Sequence, residues 1–227
     1  MGDKGGSVQG GVQMSEVKSA EEIRRDVKDE EITLEYMKNS IRIISNYVSN
    51  IIEELEEEKI KEVIKRILKA NRIFVMGAGR SGLVMRAFAM RLMHLGFTTY
   101  VVGEIVTPAV KEGDLVVVAS GSGETPSILN LAKIAKDIGA ELVLFTSNPE
   151  SSMAKIADIV VTIRGRISHD VMDYMERQLR GDYKSLTPLG TVFEILTLIV
   201  LDGMVAELIH LTRQTEEHMK SRHAILE

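Results

Sequence analysis

The residues with the clearest chemistry lie in a ten-residue stretch, VVVASGSGET, from 116 to 125. Val116 to Val118 is a β-branched run suited to a buried strand. It gives way to Ala119, Ser120, Gly121, Ser122, Gly123, Glu124 and Thr125 before Pro126 opens a helical pattern. A strand, a small-residue loop and a helix N-terminus together make an anion site. Glycines allow close backbone approach, the first helical N–H groups lack intrahelical partners, and the hydroxyls of Ser120, Ser122 and Thr125 add donors. A phosphate suits such a loop, although helix capping and a tight turn draw on the same residue types.

A second glycine loop, Gly77, Ala78, Gly79, Arg80, Ser81, Gly82, follows the apolar run RIFVMG and opens another helical pattern. It is a literal GxGxxG with Glu104 placed 22 residues beyond Gly82, which meets the dinucleotide fingerprint in form. Against a dinucleotide, the stretch VVGEIVTPAVKEGD is too short for a covering helix, Thr107-Pro108 interrupts it, and the second hydroxyl-rich loop has no part in such a fold. Two anion loops at the carboxyl ends of adjacent parallel strands suit one small phosphorylated ligand instead.

For a group that moves a proton, the sequence offers Glu194, with Asp202 and Glu207 as rivals on the same helical stretch. Thr187 and Pro188 read as N-cap and first helical position, which sets Glu194 two turns in, at the border of the apolar run ILTLIVL. Partial desolvation there would raise the pKa of the carboxyl toward the range of a base at neutral pH. A solvent-facing helix glutamate is the alternative. His94, His169, His210 and His218 show no spacing for a metal or a nucleophile, whereas His223 lies in the closing segment TEEHMKSRHAILE.

The elements that must position these groups follow from periodicity. Strands are expected at 72–77, 98–103, 115–119, 141–146 and 159–163, alternating with helices or connectors, so the fold class is α/β: a three-layer αβα sandwich on a five-stranded parallel sheet. Ahead of it, Leu34, Met37, Ile41, Ile44, Val48, Ile51 and Leu55 keep a three-four alternation. That predicts a long N-terminal amphipathic helix that packs on its own domain and also meets another subunit. A second helix, Lys59 to Ala70, presents Ile60, Val63, Ile64 and Ile67, and a third, Pro188 to His210, is apolar nearly all round and so belongs under the sheet or in an interface. Residues 1–30 read as a disordered tail, 31–227 as one domain, and the polar segment 164–186 as a lid or subunit contact.

Composition sets the outer limits. At 227 residues and 44% hydrophobic content the chain can bury a real core. A net charge of −5 argues against nucleic acid or a membrane surface as partner, and the absence of Cys removes disulfides, thiolate nucleophiles and Cys-ligated metals. With no signal-peptide pattern at the start, the expected location is cytoplasmic.

The pair GAGRSG and SGSGET, each after a buried strand, resembles the sugar isomerase (SIS) domain, with its flavodoxin-like fold. FAMRLMHLGF, TPLGTVFE, LDGMVAEL and the RHAxLE ending resemble the 6-phospho-3-hexuloisomerase branch, from about residue 31 to Glu227. The resemblance implies interconversion of D-arabino-3-hexulose 6-phosphate and D-fructose 6-phosphate through an enediol, without metal or redox cofactor, as part of formaldehyde fixation in the ribulose monophosphate pathway or, run in reverse, of pentose phosphate supply. It implies phosphate on Ser120, Ser122 and Thr125, with Gly79, Arg80 and Ser81 meeting the sugar or phosphate from the other side. Glu194 becomes the base, His223 an acid–base or enediol-positioning group acting in its own or a neighbouring subunit's pocket, and Glu227 its orienter. A homo-oligomer, dimer or tetramer, is implied. The family's usual Asn in RHANLE is Ile225 here. Another aldose–ketose phosphosugar isomerase and a non-catalytic phosphosugar sensor are the alternatives.

Overall fold

The computed structural model describes residues 32–165 and 190–223. The expected tail at 1–30, most of the segment 164–186, and Thr187, Pro188, His169, Ile225 and Glu227 lie outside the described residues. In chain order the elements are α1 Glu35–Glu54, α2 Glu57–Lys69, β1 Ile73–Gly77, α3 Gly79–His94, β2 Thr99–Val101, β3 Leu115–Ala119, α4 Pro126–Ile138, β4 Glu141–Thr146, β5 Ile159–Thr162, α5 Thr191–Thr212 and α6 Glu216–Ser221.

The strands form one parallel sheet of five in the order β2-β1-β3-β4-β5, with Val75 opposite Val117, Gly77 opposite Ala119 and Ala119 opposite Phe145. Each strand feeds its alternate residues to opposite faces. Ile73, Val75, Leu115, Val117 and Phe145 enter a core with α1, α2, α3 and α5, whereas Phe74, Met76, Val116, Val118 and Leu144 meet α4 and the segment after β4. The expected three layers are therefore present, with most of the helical mass on one side. Near the amino ends of the strands, the Arg72 guanidinium forks onto the buried carboxylate of Asp114, tying β1 to β3.

Several element ends shift by one to three residues from the expectation, and the shifts in β2 and α5 bear on the site. β2 stops at Val101 rather than residue 103, because the Val101 carbonyl accepts from Glu104 N at 3.2 Å and from Thr107 Oγ1 at 2.5 Å, which turns the chain away from the edge. α5 begins at Thr191 rather than at Pro188. Gly190 takes a left-handed conformation, φ 69°, through which a right-handed helix cannot run. Along α1 and its flanking caps Leu34 and Leu55, Ile44, Val48, Ile51 and Leu55 pack on the domain, whereas Leu34, Met37 and Ile41 in the first half of the same seam are exposed.

Candidate active site

The strand order reverses direction of growth between β1 and β3, and a ligand crevice forms outside the carboxyl ends of strands at such a point. Both glycine loops stand there. In the first loop, a Cβ on Gly82 would come within 2.7 Å of the Gly77 carbonyl oxygen, so these two glycines serve close packing of α3 on β1. Gly79 and Arg80 are exposed at the head of α3, with Ser81 half-buried behind them. Among the described residues, α3, α4 and α5 all lack a side-chain cap bond from their N-cap residues, which leaves their leading N–H groups uncapped there.

In the second loop the hydroxyls act on the loop itself. Ser120 Oγ accepts from Gly123 N at 3.2 Å and sits 3.5 Å from Thr125 Oγ1, and Ser122 Oγ accepts from Glu124 N at 3.2 Å. An oxygen that accepts from the backbone keeps its own O–H to donate, which is what an anion requires. Among the described residues, no protein acceptor meets the N–H of Gly121, Ser122 or Thr125. Capping alone does not account for Thr125, which precedes Pro126 and forms no side-chain cap bond.

The connector between β4 and β5 is clasped to this loop, which no motif in the sequence announces. Ser147 N donates to Gly121 O at 3.1 Å, Met153 N to Gly123 O at 3.2 Å, and Ser152 N to Glu124 Oε1 at 2.6 Å. Glu124 therefore stands ahead of α4 as a bridge to the connector. Gly123 has φ 65°, and a Cβ there would strike Ser151 Oγ at 2.0 Å.

Glu194 lies in the first turn of α5, not two turns in, for the reason given at Gly190. Its side chain is 8% exposed and receives a hydrogen bond from Arg80 Nε, joining the heads of α3 and α5 across the crevice. Burial pushes the Glu194 carboxyl above its ordinary value, opposed by the hydrogen bond and charge of Arg80. Phe193 packs on Gly121 of the hydroxyl loop, where a Cβ would lie 3.1 Å from Phe193 Cδ1. Glu194, Arg80 and the loop thus share one crevice. Asp202 and Glu207 are exposed farther along α5. Glu104, the acid of the dinucleotide reading, pairs instead with exposed Arg86 at 2.7 Å.

His223 does not join this group within one chain. Its ring stacks on His94 at the far end of α3, centroids 4.9 Å apart, and neighbouring Arg222 donates to the His94 carbonyl at 3.0 Å. At 1.5 Å per residue, Arg80 and His94 are separated by about 21 Å along the helix. Among the described residues no cluster of His, Asp or Glu has the makings of a metal site, and no helix is long and apolar enough to cross a membrane.

A parallel sheet in this order, with a hydroxyl loop at its switch point and a buried carboxylate beside it, defines an α/β domain of the doubly wound kind. The chain belongs to the SIS domain family, whose model matches residues 66–179. It is 42% identical over 160 residues to a Bacillus subtilis protein named 3-hexulose-6-phosphate isomerase, covering 70% of this chain and 82% of that one. A solved Methanococcus jannaschii structure, said to infer a molecular function of 3-hexulose-6-phosphate isomerase, is 36% identical with TM-score 0.65, covering 86% of this chain and 98% of that one. A crystal structure of a hypothetical protein is 44% identical with TM-score 0.74, over 84% of this chain and 97% of that one.

Proposed function

We propose that this protein is an isomerase that interconverts D-arabino-3-hexulose 6-phosphate and D-fructose 6-phosphate by proton transfer through an enediol. The observation that carries the reading is Glu194, a buried carboxylate with a raised pKa beside the hydroxyl loop, in a chain 42% identical to a protein named for this reaction. The phosphate rests on the hydroxyls of Ser120, Ser122 and Thr125 and on the open N–H groups of the loop. Gly79, Arg80 and Ser81 face the sugar from the other side. The Glu194 carboxylate takes the proton from the carbon next to the carbonyl, and the electron pair moves onto the carbonyl oxygen. The Arg80 guanidinium balances the charge that builds there, and the proton returns to the neighbouring carbon.

The hydroxyl proton must also pass between the two oxygens. We assign that step to His223 of a neighbouring subunit, since its place against His94 keeps it from its own crevice. The protein is then a homo-oligomer, dimer or tetramer, to which the exposed Leu34, Met37 and Ile41 of α1 offer an apolar face. It works in the cytoplasm, in the ribulose monophosphate route of formaldehyde fixation.

The test is incubation of the pure protein with fructose 6-phosphate and NMR detection of the 3-ketose, for wild type and Glu194→Gln. Conversion by wild type and a loss of about 10²–10⁴ in kcat for the variant are expected. Binding without conversion by wild type would leave a phosphosugar sensor, and full activity of the variant would move the base elsewhere.

A further inference from the structure

Thr191 is the first residue of α5 and is 8% exposed, yet among the described residues its Oγ1 is the buried side-chain polar atom that has no hydrogen-bond partner. The other threonines of α5 show the ordinary solution. Thr197 Oγ1 donates to the Phe193 carbonyl at 2.7 Å and Thr212 Oγ1 to the Leu208 carbonyl at 2.6 Å, each one turn back. Thr191 opens the helix, so no carbonyl of α5 itself lies one turn back from it. A buried hydroxyl left in this state weakens the fold and calls for an explanation.

Its position supplies one. Thr191 and Glu194 are three residues apart, hence on one face of α5, and Arg80 closes on that face. The first turn has no slack to draw back: Phe193 packs against Gly121 on one side, and on the other a Cβ at Gly165 would lie 2.6 Å from Phe193 N. The helix has no side-chain cap, so the dipole at its N-terminus favours negative charge arriving at the same spot.

We propose that the Thr191 hydroxyl is a substrate ligand, donating a hydrogen bond to the oxygen on the reacting carbons of the bound phosphosugar. That oxygen gains charge when Glu194 removes the proton, and a donor fixed in place by packing binds it more strongly then than before. No bond to Thr191 forms or breaks, and its own proton stays on the hydroxyl. The inference rests on the isomerase reading and names a further contact in the same crevice, close to the chemistry and apart from the phosphate handle.

The test compares Thr191→Val, which keeps the shape and loses the hydroxyl, with Thr191→Ser, which keeps the hydroxyl. For Thr191→Val the expected kcat with fructose 6-phosphate is about 100-fold lower, with most of the activity restored in Thr191→Ser. Its Tm should equal or exceed that of wild type because the unpartnered hydroxyl is gone, and the Kd for inorganic phosphate by calorimetry should not change. Wild-type kcat in Thr191→Val overturns the proposal, as does an activity loss matched by a fall in Tm and in phosphate affinity. Should wild type bind fructose 6-phosphate without converting it, the isomerase reading fails while Thr191 is still judged by binding: a weaker Kd for the sugar phosphate in Thr191→Val supports the contact and an equal one overturns it.

Discussion

The Glu194–Arg80 pair sets two opposed influences on one carboxyl. Burial favours the neutral acid and the guanidinium favours the carboxylate, with burial the larger. Removing the guanidinium by Arg80→Met leaves burial unopposed, so the acid limb of the kcat/KM profile should move to higher pH; an unmoved limb would mean that another group sets it. Stability runs the other way from the usual carboxylate. Folded Glu194 holds its proton more tightly than the unfolded chain does, so its contribution is full below the ordinary glutamate value and is lost as pH rises through the raised folded value. Glu194→Gln should therefore melt higher than wild type near neutral pH, with the gap narrowing at about pH 4; thermal melts across pH check the sign. The apolar run after Glu194 made its desolvation legible in the sequence, and the glycines and hydroxyls from Ser120 to Thr125 made a tight loop ahead of a helix legible there. The pairing with Arg80 was not legible, because residues 114 apart meet only through the crossover that sets the heads of α3 and α5 beside each other.

Among the elements, four of the five strands could be read from short apolar runs almost to the residue, since a buried parallel strand has one simple signature, whereas the edge strand β2 was read three residues too long. The start of α5 could not. A glycine in a sequence does not by itself tell a helical residue from a left-handed turn, and the turn at Gly190 sets where the helix starts. The connector after β4 was missed for a different reason: its grip on the hydroxyl loop is made mainly by backbone N–H groups, which leave no trace in side-chain type. A side-chain clasp is added by Glu124, which accepts from Ser152 N at 2.6 Å. What the clasp needs is an acceptor oxygen at that reach, so Glu124→Gln should retain wild-type KM. Glu124→Asp, shorter by one methylene, should raise KM about tenfold with kcat little changed, as Glu124→Ala should. If Glu124 were a catalyst the order would reverse, with Asp active and Gln dead. At the other side of the loop, Gly123→Ala combines a left-handed backbone with a clash on Ser151 and should cost about 1–3 kcal/mol from the backbone strain alone, read as a lower midpoint in chemical denaturation.

Across the whole chain, the C-terminal tail and the Glu194–Arg80 pair lie at opposite ends of α3. Within one chain α3 works as a spacer: its head carries Arg80 and its tail end carries His94, against which His223 is stacked and to which Arg222 is bonded. Gly96 belongs to that anchorage, for a Cβ there would press on the Arg222 guanidinium at 3.1 Å. A tail fixed so far from its own Glu194 can serve catalysis only by lying over the crevice of another copy. Glu194→Gln and His223→Asn chains, each of low activity alone, are unfolded together and refolded as a mixture. If His223 acts across the interface, a mixed pair contains one site with both residues mutated and one with both intact, so a one-to-one mixture of dimers should recover about a quarter of wild-type activity. If His223 acts in its own crevice, every mixed pair has one lesion in each site and the mixture stays as weak as its parts. The same mixture made with Met37→Glu and Ile41→Glu added to both chains should recover nothing if the exposed seam of α1 forms the interface, and sedimentation should then find smaller particles. Recovery that survives those charges would place the subunit contact on another face.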